Sequence, residues 1–152
     1  RYLIGSRELA HWQATEAMEP GTHNHGAYAD SVLPVIEAGL AETVDDGFEL
    51  SRGMRIEALP GHTPGQIGLC FGCRSHGQAL FCGDAIHSPV QVYRPDWASA
   101  FCSDRDLAVS TRLALLERAA ETGALLVPAH LRGAHGMTIA REGGGFRPDF
   151  VG

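Results

Sequence analysis

The chain has 152 residues, 44% apolar and 20% charged, the balance of a globular domain rather than of a disordered or fibrous one. Its formal charge of −6, with no block of Lys and Arg, argues against a nucleic-acid partner. No apolar run approaches the roughly 20 residues of a membrane span and no signal peptide is visible, so a cytoplasmic location without a membrane partner is expected.

The chain opens at Arg1 with no initiator Met, directly in a strand-like Tyr2-Leu3-Ile4, which reads as the start of a fragment. Ser6 is the expected N-cap of a short helix through about Gln13. Residues 16–29, punctuated by Pro20, Gly21, Asn24 and Gly26, read as loop. Asp30 is expected to cap a second helix, Ser31 to Ala38, ended by Gly39. Short strands follow: Glu42-Thr43-Val44 and Phe48-Glu49-Leu50 flank an Asp45-Asp46-Gly47 turn, then Met54 to Leu59. Residues 66–71 should pair with 79–82 across a Gly-rich loop at 72–77. Residues 88–103 look irregular and carry Tyr93, Trp97 and Phe101. Asp104 should cap a strong helix, Arg105 to about Glu121, with Val109, Leu113, Leu116 and Ala120 on its apolar stripe and Gly123 past its end. A strand to Val127, a loop to Gly136 and a hairpin (Met137–Arg141 and Phe146–Pro148 around Gly143-Gly144-Gly145) complete the chain. A long helix feeding a buried strand, with strands outnumbering helices, suggests an α/β layered fold.

Chemistry concentrates where strands end. Leu59 runs into Pro60-Gly61-His62-Thr63-Pro64-Gly65-Gln66. Leu80-Phe81-Cys82 stops at Gly83 and presents Asp84, with His87 three residues on. Leu125-Leu126-Val127 runs into Pro128-Ala129-His130. Singly, each reads equally as turn chemistry. Together, two imidazoles and a carboxylate are the ligand types that zinc takes, and a carboxylate has two oxygens with which to bridge a pair of ions.

These motifs resemble the third, fourth and fifth metal motifs of the metallo-β-lactamase superfamily. Gly83-Asp84-Ala85-Ile86-His87-Ser88-Pro89-Val90-Gln91 and Ala129-His130-Leu131 look most like its methyl parathion hydrolase-like and acyl-homoserine lactonase branch. The resemblance implies an αββα sandwich with a binuclear centre of two Zn2+ ions. His62 would ligate the first, His130 the second, and Asp84 would bridge them. The implied activity is hydrolysis of a lactone, ester or phosphotriester by a bridging hydroxide, with a small-molecule substrate. His87, where the lactonases place a tyrosine, would either hydrogen-bond the substrate or stand as a polar loop residue. Trp97 and Phe101 would either line a substrate channel or belong to the core.

The family's leading His-x-His-x-Asp-His motif does not occur in this sequence. His23-Asn24-His25 matches its opening spacing only, since Ala27 and Tyr28 stand at its Asp and last His; it reads as a surface loop. Residues 1–152 are therefore expected to be one partial domain, the second half of the sandwich, inactive when expressed alone and prone to self-association. The alternative is a truncated, non-catalytic chain that keeps the fold. A third reading, a small zinc or redox module on Cys70-x-x-Cys73, weighs less than structural cysteines, because no second Cys-x-x-Cys pair exists; reduced thiols are the default for Cys70, Cys73, Cys82 and Cys102. His135 reads as a solvated residue at a pocket edge, and His11 and His76 carry no signal.

Overall fold

A computed structural model describes residues 1–73, 77–133 and 135–152. The readings for His76 and for the side chain of Cys73 lie outside the described residues. No helix is long and apolar enough to cross a membrane, among the described residues.

Two sheets form. In the smaller, β1 (Tyr2–Gly5) pairs in parallel with β2 (Ala41–Val44), Tyr2 opposite Ala41 and Gly5 opposite Val44. The larger has seven strands in chain order: β3 (Glu49–Ser51), β4 (Met54–Ala58), β5 (Ile67–Cys73), β6 (Gly77–Gly83), β7 (Leu125–Pro128), β8 (Gly136–Glu142) and β9 (Gly145–Val151). Every neighbouring pair is antiparallel except β6 and β7. A parallel pair needs a crossover, and it is supplied by a short α3 (Val90–Tyr93) and the long α4 (Arg105–Thr122). The core lies where α4 meets one face of the sheet: Leu115, Leu116 and Ala119 pack with Cys70, Leu80, Cys82, Leu126, Met137 and Phe146. Strand periodicity puts Phe71 and Phe81 on the other face, where both are exposed.

The strand pairing 66–71 with 79–82, the closing hairpin and α4 lie where the sequence places them. The Asp104 carboxylate accepts from the Leu107 N–H, and Gly123 closes α4 in the left-handed conformation.

Four local readings are corrected. The Asp45-Asp46-Gly47 turn exists, but it does not join a hairpin: β2 adds to β1, and β3 pairs with β4. The Asp46 carboxylate holds the turn by accepting from the Ala58 N–H, so the chain passes here from one sheet to the other. α1 runs from Ser6 to Met18, five residues beyond the expected end, with Gly5 at the N-cap position; Ala14 to Met18 are all tolerable helix residues and nothing before Pro20 breaks it. A 3-10 turn (His23–Gly26) and a π turn (Tyr28–Val32) lead into α2 (Leu33–Glu37), and Asp30 sits inside the π turn rather than at a cap. Finally, the buried stripe of α4 is Ala108, Arg112, Leu115, Leu116 and Ala119, while Leu113 faces outward. The buried face is rotated from the hydropathy stripe because a fully buried arginine sits in its middle.

Candidate metal centre

Strand direction assembles the site. β5 is antiparallel to both β4 and β6, and β7 is parallel to β6, so β4, β6 and β7 all point the same way. The residues that follow their last turns therefore gather at one edge of the sheet. They are His62 after β4, Asp84 and His87 after β6, and His130 after β7.

Each segment is fixed by backbone chemistry. The 60–66 turn lies against the start of α4: Ser103 and Asp104 donate N–H groups to the carbonyls of His62 and Gly61 at 2.8 and 3.0 Å, and the Thr111 hydroxyl donates to the Pro60 carbonyl at 2.7 Å. The approach at Gly61 is so close that a Cβ there would stand 2.4 Å from the Ala108 Cα and N, with φ at +133° besides. Gly61→Ala should therefore cost about 2–3 kcal/mol or displace the His62 turn, read as a drop in melting temperature. On the other side of the turn Gly65 meets the first turn of α1, and its N–H donates to the Glu8 carboxylate at 3.2 Å.

Gly83, at φ +50°, turns the chain out of β6, and its carbonyl accepts from Ala129, tying the Asp84 and His130 segments together. The loop after Asp84 is held from beneath. The Gln91 side chain accepts from the His87 N–H at 2.7 Å and donates to the Trp97 carbonyl at 2.8 Å. Arg112, fully buried, donates to the carbonyls of Ala85, Pro95 and Trp97.

The result is a cluster about one carboxylate. Asp84 Oδ1 is 2.8 Å from His130 Nε2 and 3.8 Å from His87 Nε2, and Asp84 Oδ2 is 3.9 Å from His62 Nε2. The His62 and His87 rings meet edge to face at 4.7 Å. One ligand atom each from His62, Asp84 and His87 lie within 4.8 Å of one another. His62 turns its Nδ1 to the Cys102 thiol, 3.9 Å away. Burial, and then the neighbouring His62, push the His87 imidazole below the usual histidine range despite Asp84. His130 is the exposed member, its side chain 61% accessible.

A cavity of about 710 Å³ opens over the cluster and is lined by Trp12, Gln66, Phe101 and Ser103 besides the four residues. Phe101 is 83% exposed at its rim. Trp97, paired with it in the sequence reading, is not among the lining residues: its ring lies 5.1 Å from the Arg94 guanidinium and is half exposed. Glu8, Trp12 and Asn24 also line the cavity and were missed. Gln66 and Thr63 belong to a run already singled out, but nothing local in α1 marks Glu8 or Trp12, which join the site only because α1 packs on Gly65. His23 pairs instead with Glu19 at 3.3 Å, His25 is exposed, and so is His135. Cys82 is sealed in the core, where burial raises its thiol to about 12, and burial raises Cys70 as well. Both are thiols at neutral pH, as structural cysteines are.

Among solved structures the fold matches the hydrolase AbOPH of the beta-lactamase superfamily, with a TM-score of 0.80 at 22% identity over 96% of this chain and 53% of that one. The dizinc quorum-quenching lactonase AidC, in complex with the product N-hexanoyl-homoserine, matches with a TM-score of 0.80 at 22% identity over 97% of this chain and 53% of its own. A probable metal-dependent hydrolase from Staphylococcus aureus follows with a TM-score of 0.73 at 12% identity, over 98% of this chain and 50% of that one. This chain thus spans about half the length of the structures it matches. No curated protein sequence matches it. The family model of the metallo-beta-lactamase superfamily matches residues 4–130, across the His62 turn, Asp84 and His130, and the chain belongs to that superfamily.

Proposed function

We propose that this chain carries part of the active centre of a zinc-dependent hydrolase of lactone, ester or phosphotriester bonds. The observation that carries the reading is the gathering of His62, Asp84 and His130 at the ends of three co-directional strands, beneath an open cavity. Their donor set suits a borderline divalent ion, imidazole nitrogen plus carboxylate oxygen. A bound ion would also account for His87 beside Asp84, whose two ring nitrogens are shielded from water and have no hydrogen-bond partner among the described residues. Buried polar atoms rarely stay unpartnered without a functional reason.

His62, Asp84 and His130 would hold the ions. When bound, zinc supplies a water-derived nucleophile at neutral pH and a Lewis acid for the scissile carbonyl or phosphoryl oxygen. The remaining residues shape the space above. The exposed Phe101 ring and the Trp12 indole, whose Nε1 donates to Glu8 at 2.7 Å, give apolar walls for an acyl or aryl group. That a lactonase and a hydrolase are among the matching folds supports a small-molecule ester or lactone as substrate.

The test takes the protein that carries this chain and measures zinc content with hydrolysis of an acyl-homoserine lactone, an aryl ester and a phosphotriester. At least one of the three should be hydrolysed, the activity should vanish on chelation and return with zinc. Zinc-loaded protein inert toward all three would support the rival reading, a chain that keeps the fold without catalysis.

A further inference from the structure

We propose that His87 is a metal ligand, completing with His62 and Asp84 a three-residue site built wholly from this chain. The proposal rests on the metallohydrolase reading above, but it moves His87 from the substrate to the ion.

The geometry favours the ion. A group meant to meet an incoming substrate presents a donor or acceptor to the cavity water that the substrate displaces. His87 does the opposite: both its Nδ1 and its Nε2 are closed off from solvent, and neither has a hydrogen-bond partner among the described residues. Its Nε2 faces Asp84 Oδ1 at 3.8 Å, too far for a hydrogen bond. His62 Nε2 faces the other oxygen of the same carboxylate at 3.9 Å. Tetrahedral zinc with bonds of about 2.0–2.2 Å sets neighbouring ligand atoms about 3.3–3.5 Å apart. With one atom taken from each residue, the His62, Asp84 and His87 ligand atoms lie within 4.8 Å of one another, and side-chain rotations that move them by about 1 Å bring them to that spacing. Direct contact would instead have closed the two separations from Asp84 to about 2.8 Å, the distance that His130 Nε2 keeps from Asp84 Oδ1.

The surroundings hold His87 in place for this role. Its N–H is pinned to Gln91, and Arg112 anchors the loop at Ala85, Pro95 and Trp97. A ligand's backbone is thus fixed before the ion arrives, while its ring keeps free nitrogens to offer. Three protein ligands with one open position is the usual composition of a catalytic zinc site. His130, 2.8 Å from Asp84 Oδ1, is left to serve a second ion.

Cobalt(II) is the probe, because its visible absorption reports both affinity and ligand set. The protein should bind Co2+, and His87→Ala and His87→Gln should each weaken that binding by on the order of 100-fold and change the absorption band, since loss of even a supporting group costs 10–100-fold. Unchanged Co2+ affinity and band in both variants, with only hydrolysis reduced, would make His87 a substrate contact and overturn the proposal alone. Failure of the unsubstituted protein to bind Co2+ would overturn the metallohydrolase reading with it. Should circular dichroism show either variant unfolded, cadmium-loaded unsubstituted protein decides. A cadmium-to-ring-proton NMR correlation at His87 is then required, and correlations confined to His62 and His130 refute the assignment.

Discussion

Asp84→Ala should abolish metal retention and hydrolysis together while leaving the fold intact. Three imidazoles surround this one carboxylate, at 2.8, 3.8 and 3.9 Å from its oxygens. Without it the cluster keeps nitrogen donors but loses the only negative charge among them and the one side chain able to face two ions. Zinc content should fall below one ion per chain, and kcat/KM by at least about a thousandfold, the several kcal/mol that an ion contributes to its transition state. The thermal midpoint should move little. Asp84 is partly exposed and lies beyond the last residue of β6, so its side chain supports no core contact. Asp84→Asn separates charge from shape: the amide oxygen can still accept from His130, yet it carries no charge to hold an ion. Equal zinc loss in both variants assigns the role to charge. Two zinc ions retained in Asp84→Ala would show that Asp84 does not hold the metals.

What could be read in advance follows the range of the forces involved. The His62, Asp84 and His130 segments were legible because each combines a covered strand with a glycine or proline stop, and both signals are local. α4 was legible at its ends, where Asp104 and Gly123 act within one turn. The face it buries was not, because Arg112 occupies the central buried position and hydropathy assigns an arginine to water. The partner of β2 was equally hidden. A turn at Asp45-Asp46-Gly47 suits a hairpin, but the β1 strand lies some forty residues earlier and competes through long-range pairing that no window of sequence contains. The cavity wall formed by Glu8 and Trp12 failed for the same reason, since it depends on α1 packing against Gly65. His87 is an intermediate case: its spacing from Asp84 marked it, but only burial of both ring nitrogens separates an ion from a substrate as its partner.

Arg112→Met should be the most destabilising of the changes considered, and it should act on the site from a distance. Arg112 is 0% exposed and sits on the buried stripe of α4. Its Nε donates to the Ala85 carbonyl at 2.9 Å, and its NH1 donates to the Pro95 and Trp97 carbonyls at 2.7 and 3.1 Å. Among the described residues no carboxylate pairs with it, and burial pulls the guanidinium below its ordinary value. Three carbonyl dipoles thus stand in for a counter-ion. Methionine approximates the length of the side chain and removes the charge that must be buried, which is a gain. Against it, the Ala85 carbonyl loses a charge-assisted donor in the buried interior, and the half-buried Pro95 carbonyl loses another. Hydrogen bonds to a charged group contribute about 1.5–3 kcal/mol each, and orphaned acceptors cost about 1–3 kcal/mol. The losses outweigh the relief, and a net cost of about 3–5 kcal/mol follows. Arg112→Lys keeps the charge but offers a point donor where a planar fork spans three acceptors, so it should recover only part. Because those acceptors flank His87, the damage should also appear as weaker metal binding at temperatures where the protein remains folded. Urea unfolding and a Co2+ titration of the same samples measure the two effects separately. A Met variant as stable as the parent would mean that the 85–97 loop holds itself in place without Arg112.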